Sequence, residues 1–180
     1  MDTFRINSPF DKNDFIRVNL IKWKFHNRKF SKILKTYSIV SVFFFFFWII
    51  AKTEEDLTNL FLVLGLIFSG LTLLLAYVRM YSKRSYTRKL KEMAEKYDSV
   101  KMDCSYEFLD KSIKYWDKEK KLEFNWSCFT NYSIYKNCLI LILNNSTFES
   151  YIFERKETDV NEYNQILEIV SSKLEYKETS

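Results

Sequence analysis

The side chains able to do chemistry are few and scattered. The one histidine, His26, lies in the basic stretch IKWKFHNRKFSKILK with no acidic neighbour, so it is expected to face solvent or lipid headgroups rather than act as a catalyst. Cys104 and Cys138 fall on apolar faces of alternating stretches, where a thiol behaves as a small core residue. Cys128 has no nearby cation or helix terminus in the sequence to lower its pKa. One His and three separated Cys make neither a metal site nor a disulfide framework. Asp103 and Glu107 share the polar face of one strand, which is the expected solvated side and not an acid–base pair. No serine sits in a nucleophile-elbow context. Two glycines in 180 residues cannot build a Walker loop or a dinucleotide fingerprint. No enzyme, cofactor or metal is expected from this inventory. The candidates for recognition are Trp126, at the end of a strand, and the basic pair Arg155 and Lys156 after the last strand.

The elements that would carry these residues begin with two apolar runs. No charge occurs from Thr36 to Ala51, whose centre reads SVFFFFFWII, nor from Leu57 to Val78. At ~1.5 Å per residue the second run reaches roughly 33 Å, enough for a ~30 Å hydrocarbon core. The first is shorter; Ile33 and Leu34 extend it, and Lys35 and Lys52 can snorkel. Spans are expected at about 33–51 and 57–79. Lys22, Lys24, Arg28, Lys29, Lys32 and Lys35 precede the first, and Arg79, Lys83, Arg84 and Arg88 follow the second, whereas the connector AKTEED is acidic. Lys and Arg mark cytoplasmic flanks, so both termini are expected in the cytoplasm. Gly65 and Ser69 form a small-xxx-small pair, with Gly70 beside it, suited to close helix packing against the first span or a second copy.

This layout accounts for the net charge of +5. Residues 1–96 carry 17 basic and 8 acidic side chains, and residues 97–180 carry 11 and 15. The excess is a membrane-flank property suited to anionic headgroups, and no nucleic acid partner is expected.

Around the spans the hydrophobic period changes twice. Phe4 and Ile6 suggest a short strand, Asp11 or Asp14 can cap a following helix, and Phe15, Val18, Ile21 and Phe25 recur at helical spacing. The second span continues as helix to near Asp98. Val100 to Phe108 then alternates, and further strands are expected in KSIKYW and KLEFNW, then, after a short helical turn or irregular link at SCFTNY, in Ser133–Tyr135, CLILIL and TFESYIFER. Turns fall at Asp117–Lys121, Lys136–Asn137 and Asn144–Ser146. Asp159 and Glu162 form a capping box for a final helix with an apolar stripe from Val160 to Leu174, and EYKETS reads as a frayed tail. The expected class is α+β: a two-helix transmembrane hairpin with a small antiparallel β-domain closed by a C-terminal helix. Its parts are 1–32 (cytoplasmic strand and amphipathic helix), 33–80 (hairpin), 81–98 (juxtamembrane helix) and 99–176 (β-domain).

The stretch from YEFLDKSIKYWDKEKKLEFNWS through NYSIYKNCLILIL to FERKETDVNEYNQIL, with the two spans before it, resembles the YcxB-like family of bacterial membrane proteins. Trp126-Ser127 stands where that family ends a strand in Trp and a small polar residue. Its basic Pro-Lys element is Glu154-Arg155 here, followed by Lys156, so the basic character survives without the proline. The resemblance implies a pleckstrin-homology-like (PH-like) soluble part. The expected role is therefore non-catalytic: a cytoplasmic β-domain presented at the bilayer to an unidentified protein partner or to lipid. Two other roles share this outline. One is a ligand-gated two-span effector sensing a cyclic nucleotide, and the other is a membrane immunity protein against a toxin.

Overall fold

The computed structural model describes residues 4–50, 55–144, 150–155 and 160–178, with backbone alone at 55–57. In chain order the elements are β1 (Phe4–Ser8), α1 (Lys12–His26), α2 (Arg28–Ile50), α3 (Glu55–Ser99), β2 (Cys104–Phe108), β3 (Ser112–Trp116), β4 (Lys121–Asn125), a 3₁₀ turn (Trp126–Cys128), β5 (Phe129–Tyr135), β6 (Cys138–Leu143), β7 (Ser150–Glu154) and α4 (Val160–Lys173). The fold is α+β, with four helices and two antiparallel sheets. It divides into a β-unit, Met1–His26 with Lys89–Ser180, and a helical unit, Asn27–Arg88. The helix α3 is continuous through the boundary set at residue 88.

In the β-unit the first sheet runs β1-β2-β3-β4 and the second β5-β6-β7. Register explains the alternation of the first sheet. Phe4, Phe108, Ile113 and Phe124 stand opposite one another in one row, and Ile6, Tyr106, Tyr115 and Leu122 in the next. The intervening row holds Arg5, Glu107, Lys114 and Glu123, with Lys114 Nζ 3.6 Å from Glu107. Sequence alone sets residues 1–32 apart, whereas the structure pairs β1 with β2 over five residues. Partners separated by about a hundred positions leave no local trace.

β6 explains its own unbroken apolar run CLILIL. Leu139 and Leu141 join the main core with Phe108, Phe129, Ile166 and Val170, while Cys138 and Ile140 pack on the other face with Phe25 and Ile21 of α1. A strand covered on both sides has no solvent face to alternate toward. The α1 stripe is thus divided: Ile21 and Phe25 pack on the second sheet, and Phe15 packs on Phe10 and Tyr97.

Asp11 caps α1, its Oδ1 accepting the Asp14 N–H at 2.7 Å, and Phe10 closes over Phe15 with ring centroids 5.5 Å apart. This is an N-cap with a hydrophobic staple. Asp11→Ala is expected to cost about 1 kcal/mol, read as a lower melting temperature of the full chain in micelles. An unchanged melt would mean that the cap does not hold the helix.

Glycine is absent from both tight corners of this unit. Lys101 (φ 46°) ends α3 in a Schellman arrangement, with Met102 N–H on Tyr97 O and Lys101 N–H on Asp98 O. Lys136 and Asn137 (φ 52° and 61°) form the β5–β6 turn expected there. The Asn144–Ser146 turn and the Asp159 cap involve positions outside the described residues. The tail differs from expectation. Tyr132 N–H donates to Glu175 O, Lys177 N–H donates to Tyr132 O, and Ser133 Oγ donates to Lys177 O at 2.6 Å. The open edge of β5 offers backbone partners, so Glu175–Lys177 is docked rather than frayed.

In the helical unit the contacts run in opposite order along α2 and α3. Phe47 meets Phe61, with centroids 5.6 Å apart, and Ser41 Oγ lies 2.6 Å from Ser69 Oγ and donates to Gly65 O at 3.3 Å. Phe44 stacks on Phe68 at 5.5 Å, and Phe45 covers Gly65. The outward faces are bare and apolar: Ile39 is 69% exposed and Leu73 is 72% exposed. Both helices are long and apolar enough to cross a membrane.

Candidate functional site

The β-unit encloses a cavity of about 440 Å³, within the size range of small-molecule sites. Its walls come from several stretches of chain, including Lys120 of the β3–β4 turn and Glu162 of α4. The end of β1 and the first turns of α1 contribute Asn7, Asp11, Asp14, Val18 and Lys22. The end of α3 and the following turn give Tyr97 and Met102. The first sheet gives Cys104, Tyr106 and Tyr115, and β7 gives Ser150, Tyr151, Phe153 and Glu154.

Aromatic rings form one side. Tyr106 lies 4.9 Å from Phe153, 5.2 Å from Tyr115 and 6.2 Å from Tyr151, centroid to centroid. Burial pushes the Tyr106 phenol well above its ordinary pKa. Burial also raises Tyr115, helped by its hydrogen bond to Asp117 Oδ2. Both stay neutral phenols near pH 7. Burial likewise raises the Cys104 thiol, so it stays protonated and weakly nucleophilic.

The charged groups are tied into the frame. Arg17 binds Asp14 Oδ1 through Nη2 at 2.6 Å and pairs through Nη1 with Glu154, which is 6% exposed. Its hydrogen bonds to the Asp14 and Glu154 carboxylates hold that guanidinium firmly protonated. Lys22 Nζ donates to Ser150 O at 2.8 Å, and His26 Nε2 lies 3.2 Å from Ser150 Oγ. His26, expected to face solvent or headgroups, is thus half-buried against β7, where the end of α1 brings it.

The candidates from sequence do not converge. Trp126 is 8% exposed in the main core, its indole N–H donating to Leu109 O at 3.0 Å. Arg155 is exposed in the turn after β7, its backbone N–H on Asn137 O, and Lys156 lies outside the described residues. Of the basic flank, Lys24, Lys29, Lys32, Lys35, Lys83, Arg84 and Arg88 are exposed, whereas Lys22, Arg28 and Arg79 are half-buried. Gly65 and Ser69 meet α2, and a Cβ at Gly70 would meet nothing within 4 Å. Cys104, Cys128 and Cys138 are free thiols, and no group of three or more His, Cys, Asp or Glu able to hold a metal ion occurs among the described residues. No single stretch of sequence encodes the cavity; the nearest signal is the recurrence of Tyr in β2, β3 and β7.

What the geometry defines is an α+β unit with an aromatic-walled cavity, joined to a pair of bare apolar helices. No family model, no curated protein and no solved structure matches the chain.

Proposed function

We propose that this chain is a two-span inner-membrane protein of the YcxB-like type. It presents a PH-like β-domain in the cytoplasm as a non-catalytic binding module for a protein or lipid partner. The observation that supports this reading best is the pairing of β1 with β2 on either side of the apolar helices. Strands cannot pair through a bilayer, so residues 9–103 must leave and return on one side, which requires an even number of crossings. Two apolar helices are compatible with that number, and the Lys/Arg-rich flanks favour the cytoplasm as the shared side. A four-stranded and a three-stranded antiparallel sheet with a C-terminal helix support the PH-like reading.

The test is a labelling map with a membrane-impermeant maleimide on intact cells. In a chain whose native cysteines are alanine, Lys24→Cys and Lys91→Cys are expected to stay unlabelled until the cells are lysed, and Lys52→Cys to be labelled at once. Labelling of both flanks in intact cells would reverse the orientation, and labelling of only one would remove the two-span topology.

A second reading, the ligand-gated effector, is favoured by the cavity. Its lining includes Lys22, just before the first apolar helix, and Tyr97, on the same continuous helix as the second apolar run. An occupant would touch both segments that lead to the pair.

A further inference from the structure

The cavity of the β-unit carries a chemical preference of its own. One wall is built of Tyr106, Tyr115, Tyr151 and Phe153, each in ring contact with another. Aromatic faces attract cations and disfavour anions. The charged lining is lopsided in the same sense. Among the described residues, Asp11, Asp14, Glu154 and Glu162 stand against Lys22 and Lys120. Both ammonium groups have partners, Lys22 on the Ser150 carbonyl and Lys120 with its Nζ 5.5 Å from the Tyr115 ring centre. Arg17 adds one positive charge behind Asp14 and Glu154, which still leaves the carboxylates in excess. A phosphate entering here would lose its hydration beside the buried Glu154 carboxylate with no basic cluster to receive it. A cyclic nucleotide is therefore a poor fit.

We propose that this cavity binds a small organic cation with a flat apolar body: an amine whose ring lies against the Tyr106–Tyr151–Phe153 wall and whose ammonium faces the carboxylate side. The proposal rests on the reading of the β-unit as a binding module and supplies the ligand class for it. It also gives the ligand-gated reading an occupant that touches α1 and the end of α3 together.

The experiment uses the full chain in nanodiscs and isothermal titration with matched probes. The cations are tyramine and tryptamine, the neutral counterparts are 4-ethylphenol and 3-ethylindole, and the anions are 4-hydroxyphenylacetate and indole-3-acetate. At least one cation is expected to bind, more than tenfold tighter than its neutral match, with no binding by the anions. Glu162→Gln, which removes the charge at a half-buried position in the first turn of α4 while keeping a side chain able to cap, is expected to weaken the cation several-fold and leave the melting temperature within a degree or two. Asn19→Trp, which fills the cavity from α1, is expected to abolish binding. Equal affinity for cation and neutral match would overturn the proposal while leaving the cavity as a binding site. Tightest binding by an anion would overturn it in favour of an anion sensor. Binding by none of the six would overturn it without touching the membrane topology, which the labelling map tests separately.

Discussion

Phe108→Ala will lower the stability of the β-unit by about 3–5 kcal/mol. Phe108 is 2% exposed and sits in the second strand of the four-stranded sheet, opposite Phe4 on one side and Ile113 on the other. Its ring lies 6.1 Å from Phe4 and 5.6 Å from Phe153, so it ties the two sheets together as well as the strands of one. Removing the ring loses its transfer free energy and leaves a void that a sheet-and-helix sandwich closes only in part. The measurement is a guanidinium titration of the full chain in micelles, followed by near-ultraviolet circular dichroism. Ile134→Ala, on a side chain 37% exposed, serves as the comparison and should change stability by less than ~1 kcal/mol. A Phe108→Ala loss no larger than that of Ile134→Ala would mean that the core does not centre on this ring.

Gly65→Leu will prise the two apolar helices apart, at a cost of about 1–3 kcal/mol. A Cβ at Gly65 would lie 3.1 to 3.3 Å from three atoms of the Phe45 ring, and a leucine adds a further branch into the same space. The displacement also breaks the hydrogen bonds of Ser41 to Gly65 O and Ser69 Oγ, polar contacts with no water to replace them on an apolar face. Gly70→Leu, five residues on, meets open space and should be neutral. The readout is the rate of disulfide formation between Ser41→Cys and Ser69→Cys in a chain whose native cysteines are alanine. We expect it to fall at least fivefold with Gly65→Leu and to stay constant with Gly70→Leu. Equal rates in the two backgrounds would remove Gly65 from the packing surface.

Much of this arrangement can be read from local pattern. The two apolar runs, the alternation in β2 to β4, the turn at Lys136–Asn137 and the stripe of α4 each express a period inside one short window. What escapes local reading is whatever joins distant windows. β1 looks like a detached strand because its partner lies beyond two long helices, and Glu175–Lys177 looks free because the β5 edge that holds it is more than forty residues earlier. β6 shows the reverse case, where an apolar run becomes intelligible only once both covering layers are known. The cavity is the least legible feature. Tyr106, Tyr115 and Tyr151 are ordinary strand residues one by one, and only the fold makes them a single wall. Trp126 drew attention as a large ring at a strand end, yet such a ring serves the core as readily as a ligand, and here it is buried.

The pairing of β1 with β2 also sets an order of assembly. β1 is synthesised first and must wait until residues 104–108 emerge before its edge is covered. Closing so long a loop is slow and contributes nothing until the strands meet. With the helix pair in a bilayer, as proposed, the wait includes insertion of both spans. A chain stalled with one span across the bilayer would hold β1 and β2 on opposite sides and could not complete its first sheet. Its strand edges and core would then stay open, so under the proposed topology the first sheet can close only after both spans are in place.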